Sequence, residues 1–264
     1  MTDIQALRAN YRSNKASVLG AMEATAASTR GIHAALRKLS AFTDDLLQAL
    51  WQRADFPEGC ALVAVGGYGR AQLFPYSDVD VLLLLPEGAT PQANSPLSAR
   101  IEGFIGSCWD AGLEIGSSVR TTAECLAESA ADVTVQTSLL ESRLICGDRA
   151  LFAQFQQQYQ AQMDPQAFLV AKTLEMRQRH TKYENTPYSL EPNCKESPGG
   201  LRDLQLILWV AKAAGLGRTW KELAKSGMAT AFEVRQIERN EAVLCLIRAR
   251  LDAEAGRHED GLVF

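Results

Sequence analysis

The spacing of apolar positions alternates along the chain between helical and strand periods. From about residue 4 to 52 the sequence is Ala-rich, and Ile32, Leu36, Leu39, Leu46, Leu47 and Leu50 mark one stripe at helical spacing, which predicts amphipathic helices laid on a core. Phe56-Pro57-Glu58-Gly59 breaks that period. An apolar run from Ala61 to Val65 ends at Gly66-Gly67, crosses a polar turn and resumes as Val79 to Leu85, interrupted only by Asp80. Runs this short, bounded by glycine and proline, predict a strand, a glycine turn and a second strand. The unbroken stretch Val81 to Leu85 marks the second strand as buried and central.

Further along, Pro86 to Pro96 has the composition of an exposed loop. Leu97, Ile101, Phe104, Ile105, Cys108 and Trp109 then recur at helical spacing and predict a helix against the sheet. Leu113-Glu114-Ile115 opens a third strand that runs toward Thr121, and Thr121-x-x-Glu124 is a capping box that starts a helix. The α/β alternation continues from Asp132 to Cys146, where Glu141 and Arg143 are expected to pair with each other rather than with a nucleotide. From about Arg149 the period stays helical. Helices are predicted at 151–163 and 165–184, and two more open at Thr219-x-x-Glu222 and Thr230-x-x-Glu233, the last stopping near Gly256. The expected divisions are an N-terminal helical segment (1–55), a sheet-bearing domain (56–148) and a helical domain (149–264).

Composition narrows the choice of function. A chain of 264 residues with 47% hydrophobic content can bury a sizeable core, and a net charge of −4 argues against a nucleic-acid partner. The densest basic group, Arg177, Arg179 and Lys182, is expected on the solvated face of a helix. The six cysteines show no C-x-x-C pairing and no histidine at zinc spacing, so they are expected to be reduced core thiols. The first residues lack the apolar core of a signal peptide and no apolar run reaches about 18 residues, so a soluble, cytoplasmic protein without a membrane partner is expected.

The candidate chemistry lies at the first two strands. Side chains alternate along a strand, so Asp78 and Asp80 share one face, where two like charges beside a buried strand call for a cation. Carboxylate oxygens suit Mg²⁺, which keeps positions for water and substrate phosphates. Gly66 and Gly67 let the backbone approach a triphosphate closely. Together these features predict metal-dependent nucleotidyl transfer. Ser77, beside the carboxylates, can hydrogen-bond a carboxylate or the triphosphate, and Arg70 is either a phosphate contact or a local ion pair. A dinucleotide fingerprint is excluded, because Gly67-Tyr68-Gly69-Arg70-Ala71-Gln72 lacks the third glycine and a strand follows. Further on, the Pro- and Gly-rich loop before Leu201 predicts a helix start with free N–H groups, and Lys195 and Arg202 are candidate phosphate contacts there; Asp203 is expected to complement the helix dipole.

Gly66-Gly67, the spacer and Asp78-Val79-Asp80 resemble the signature of the DNA polymerase β-like nucleotidyltransferase superfamily. The longer wording GGYGRAQLFPYSDVDVLLLL, with ESPGGLRDLQ at Glu196 to Gln205, is similar to the bifunctional PII uridylyltransferase/uridylyl-removing family. The resemblance implies an α+β fold: a small mixed sheet with helices of polymerase β type, flanked by N-terminal helices and a C-terminal helical domain that continues in full-length relatives. It also implies UTP as donor, a tyrosine of a PII-like protein as acceptor, and a third carboxylate on a later strand, which Glu114 matches. Two Mg²⁺ ions would then be held by Asp78, Asp80 and Glu114. No His-Asp dipeptide occurs, so a fragment or shortened relative without the removing activity is expected. The rival readings are an adenylyltransferase acting on a regulatory protein and a non-catalytic nucleotide-binding fragment.

Overall fold

The computed structural model describes residues 3–24, 29–89, 91–92 and 95–262. The chain divides into two compact units, residues 1–24, 35–73 and 77–162 forming one and residues 25–34, 74–76 and 163–264 the other. The fold is α+β, with one four-stranded mixed sheet and eleven helices among the described residues.

The first unit is built from α1 (Ile4–Ala24), α2 (Ile32–Ala54, from residue 35 onward), β1 (Ala61–Ala64), α3 (Gly66–Gly69) and β2 (Val79–Leu85). After these come α4 (Pro96–Asp110), β3 (Ile115–Thr121), α5 (Thr122–Ala131), α6 (Val133–Leu140), β4 (Arg143–Gly147) and α7 (Arg149–Gln162). The strand order is β3-β2-β1-β4. β1 runs antiparallel to β2 and to β4, while β2 and β3 are parallel and joined by a crossover through α4, as a parallel pair requires.

β2 is apolar at every position but Asp80 because it is covered on both faces. Val79, Val81 and Leu83 pack with Leu62 and Ala64 against Leu46, Leu47 and Leu50 of α2 and Ile101, Phe104 and Cys108 of α4. Leu82 and Leu84 are equally buried and by alternation face the other side. Each such leucine contributes about 1.5–3 kcal/mol of burial. Asp80 shares the face of Leu82 and Leu84 but sits at the strand's start, where the face is open to solvent.

Several local expectations hold. The apolar stripe of α2 is buried, and Thr121 and Glu124 form the reciprocal capping box. Trp109 departs from its expected place: with Phe104 and Cys108 turned to the core, the residue after Cys108 rotates outward and is 55% exposed. Of the expected loop Pro86 to Pro96, Thr90, Ala93 and Asn94 lie outside the described residues, and Pro96 itself opens α4 behind the Ser95 cap.

The second unit contains α8 (Pro165–Lys182), α9 (Leu201–Ala213), α10 (Trp220–Lys225) and α11 (Ala231–Ala255). Thr219 and Thr230 cap α10 and α11 as their spacing predicts, and Ala211, Trp220, Leu223 and Val234 join the last three helices in one apolar cluster. The segment after α11 folds back: the Cys194 amide donates to the Asp260 carbonyl at 2.8 Å and the Leu262 amide to that of Pro192 at 3.0 Å. All six cysteines are free thiols, five of them buried. No helix among the described residues is long and apolar enough to cross a membrane.

Candidate active site at the start of the central strands

β1 hands the chain directly to α3, so the expected glycine turn is a single helical turn: the Gly69 amide donates to the Val65 carbonyl at 3.0 Å. Gly66 has φ +57, a conformation that favours glycine. Gly69 is needed for a different reason. A Cβ there would stand 2.0 Å from the Glu141 carbonyl oxygen, so the turn lies flat on the backbone beyond α6. At Gly67 a Cβ would meet only Arg70 Nη2, at 3.6 Å, among the described residues; the bare backbone at this position is not explained by packing.

The turn is anchored from beneath by Tyr68. Its buried hydroxyl donates to Asp44 of α2, and Asp44 also accepts two hydrogen bonds from Arg143 of β4, at 2.7 and 3.0 Å. The Arg143 guanidinium lies 5.4 Å from the centre of the Tyr68 ring. Burial, reinforced by the Asp44 charge, drives the phenol pKa far upward, so Tyr68 remains a donor. Glu141 pairs instead with Arg70, at 3.2 Å. The expected Glu141–Arg143 pair is therefore replaced by two others, because β4 carries Arg143 toward α2 while Glu141, at the end of α6, meets the loop after α3.

The three predicted carboxylates come to one edge. β2 and β3 pair in parallel with Val79 opposite Ile115 and Asp80 opposite Gly116, and the Val79 amide donates to the Glu114 carbonyl at 2.8 Å. One residue earlier on each strand stand Asp78 and Glu114, both exposed and, by alternation, on the face of Asp80. The Val65 amide donates to the Asp80 carbonyl at 3.1 Å, which holds the glycine turn beside the aspartates, as the antiparallel pairing of β1 and β2 demands. Ser77 precedes them, half-buried. Partial burial and then the charge of Asp78 raise the pKa of Asp80.

Among the described residues no three His, Cys, Asp or Glu side chains are gathered closely enough to hold a metal ion. The donor chemistry nevertheless fits a hard divalent cation, because carboxylates from adjoining strand ends share one solvent-facing edge. The edge also contains an open cradle. A Cβ at Gly116 would stand 2.5 Å from Asp80 Oδ1, and one at Gly66 would stand 3.6 Å from both Asp80 Oδ2 and Ser138 Oγ of α6. Gly116 and Ser138 escaped the sequence reading: Gly116 needs the strand register to be placed beside Asp80, and Ser138 comes from a helix whose docking no local pattern announces.

In the second unit, Lys195 Nζ lies 3.2 Å from Asp260 and 3.7 Å from Glu196, and Arg202 pairs with Glu196 at 3.0 Å. The start of α9 does not present the free N–H groups expected there. Leu201 and Arg202 donate to the carbonyls of Cys194 and Lys195 at 3.0 and 2.9 Å, because the loop curls back over the helix start; Gly200 permits this, since a Cβ there would stand 2.7 Å from the Lys195 carbonyl oxygen. Asp203 is an ion-pair hub and not merely a dipole partner: it accepts from Arg179 and from the Gly199 amide at 2.7 Å, with His180 Nε2 3.0 Å away. Burial opposes ionisation of Asp203, but these hydrogen bonds outweigh it and hold its pKa low. Arg179 is consequently inside this network, while Arg177 and Lys182 occupy the solvated face expected for all three.

Known proteins are similar to this chain over most of its length. Residues 167–264 match the family model described as GlnD PII-uridylyltransferase. The chain is 60% identical over 227 residues to a bifunctional uridylyltransferase/uridylyl-removing enzyme of Cupriavidus pinatubonensis, covering 86% of this chain and 26% of that protein. A protein of the same name from Burkholderia orbicola is 54% identical over 257 residues, covering 97% of this chain and 29% of its own length. The chain belongs to the PII-uridylyltransferase family. It spans between a quarter and a third of the length of these curated relatives. The Burkholderia match, at 97% of the chain, takes in both the carboxylate edge and the α9 region of this family member.

Proposed function

We propose that the carboxylate edge of the first unit is a Mg²⁺-dependent nucleotidyltransferase site that moves UMP from UTP to a tyrosine hydroxyl of a PII-like protein. The observation that carries this is the parallel register of β2 and β3, which sets Asp78, Asp80 and Glu114 on one face beside the backbone of Gly66 and Gly67. The names of the relatives support uridylyl transfer over other nucleotidyl transfers.

In this reading Asp78, Asp80 and Glu114 hold two Mg²⁺ ions, whose contribution is to neutralise phosphate charge and to acidify the attacking hydroxyl. The chain itself positions the reactants. Gly66 and Gly67 admit the triphosphate close to the backbone, and Ser77 donates a hydrogen bond to it. Glu114 either ligates the second ion or takes the phenolic proton as the tyrosine oxygen attacks the α-phosphorus; the bond to the bridging oxygen breaks and pyrophosphate leaves. Such a reaction needs positioning and charge stabilisation more than a protein nucleophile, consistent with an edge built from carboxylates and glycines.

Calorimetric titration with UTP, ATP, CTP and GTP, with and without Mg²⁺, tests the reading on the wild type and on Asp80→Asn. Metal-dependent binding that prefers UTP and is lost in a folded Asp80→Asn variant is the expected result. Preference for ATP would redirect the assignment to adenylyl transfer, and undiminished binding by Asp80→Asn would remove the site.

A further inference from the structure

Resting on the metal-dependent reading of the carboxylate edge, we infer that Gly116 is a positioning residue that keeps the Asp80 carboxylate in its ligating orientation by leaving empty the space a side chain would fill. Gly116 lies directly opposite Asp80 in the parallel pairing of β2 and β3, on the solvent-facing side of the strand. A Cβ built there would stand 2.5 Å from Asp80 Oδ1 and 3.7 Å from its Cγ, and, its two chain neighbours aside, no other atom among the described residues comes within 4 Å. The conflict is therefore with one carboxylate and nothing else.

The opposite side of the same carboxylate is bounded by Gly66, whose missing Cβ would lie 3.6 Å from Oδ2. Asp80 thus stands in a slot with a glycine on each side. The two glycines are not equivalent: Gly66 has a positive φ that favours glycine, whereas Gly116 is not among the positive-φ positions and its backbone accepts any residue. Glycine is a poor strand former, so its presence inside β3 has a cost that the fold does not recover through packing at that position. The geometry assigns its benefit to Asp80. With alanine at 116, Oδ1 must swing away from β3, and the Asp80 carboxylate leaves the orientation it holds beside Gly116.

The test is Gly116→Ala, alone and combined with Asp80→Ala, read by thermal unfolding without metal and by titration with Mn²⁺ and with UTP plus Mg²⁺. Gly116→Ala is expected to stay folded and to lose about 10–100-fold in metal affinity, the range typical when a residue that orients a ligand is altered. In the Asp80→Ala background the same change is expected to leave the unfolding temperature unchanged or raise it, because its sole steric opponent is gone. A merely structural glycine would destabilise both backgrounds equally. If wild type binds metal and Asp80→Asn does not, yet Gly116→Ala binds as tightly as wild type, the inference fails while the site stands. If wild type shows no metal-dependent binding, or Asp80→Asn is unaffected, the underlying reading of the site fails first. Should Gly116→Ala not fold, rescue by Asp80→Ala supports the steric account, and absence of rescue overturns it.

Discussion

Tyr68→Phe is the sharpest probe of how the glycine turn is held. The phenol is 1% exposed and its hydroxyl donates to Asp44, which also receives both terminal nitrogens of Arg143. A hydrogen bond to a charged group contributes roughly 1.5–3 kcal/mol, and because Asp44 keeps its two arginine bonds after the change, a loss of about 1.5 kcal/mol is expected. Asp44→Ala is more damaging, since it strands a buried hydroxyl and a guanidinium at once. Removing one partner of a buried pair costs ~3–5 kcal/mol, and the residual exposure of these side chains, 21% for Asp44 and 30% for Arg143, places this case near the lower end. The double variant should be no less stable than Asp44→Ala alone, because the bond that Tyr68→Phe removes is already gone. Urea unfolding of the four proteins, with unchanged slopes, measures the cycle. Full additivity, or a Tyr68→Phe variant as stable as wild type, would show that the hydroxyl does not anchor the turn.

Other consequences follow from the same geometry. Gly69→Ala forces a Cβ against the Glu141 carbonyl and should destabilise by about 1–3 kcal/mol or more, whereas Gly67→Ala should leave thermal unfolding unchanged and weaken only triphosphate affinity; equal melting temperatures for the two variants would contradict this. Asp78→Asn removes the like charge beside Asp80 and should lower the Asp80 pKa, visible as a downfield-to-upfield titration midpoint at lower pH in carboxyl NMR; an unmoved midpoint would dissociate the two groups. Asp203 has a lowered pKa in the folded chain, so its stabilisation is present above the ordinary carboxylate range and is lost as pH falls below about 4. Asp203→Asn should therefore be less stable than wild type at pH 7 and approach it in acid; a pH-independent difference would refute the ionic role.

The sequence by itself determined what depends on near neighbours. The buried run of β2, the stripe of α2, the caps at Thr121, Thr219 and Thr230, and the shared face of Asp78 and Asp80 all follow from spacings of two to four residues, over which alternation or a helical turn fixes direction. The tertiary structure decided everything that depends on register and on docking between elements. Only the pairing of β2 with β3 puts Gly116 against Asp80 and Glu114 level with Asp78. Only the approach of α2, α6 and β4 to the turn decides that Arg143 meets Asp44 and Arg70 meets Glu141, and only the loop curling over α9 consumes the amides that a linear reading leaves free. Charges four or five residues apart advertise many partners, and the one chosen is set by which backbone passes within hydrogen-bond reach, a distance that no local period encodes.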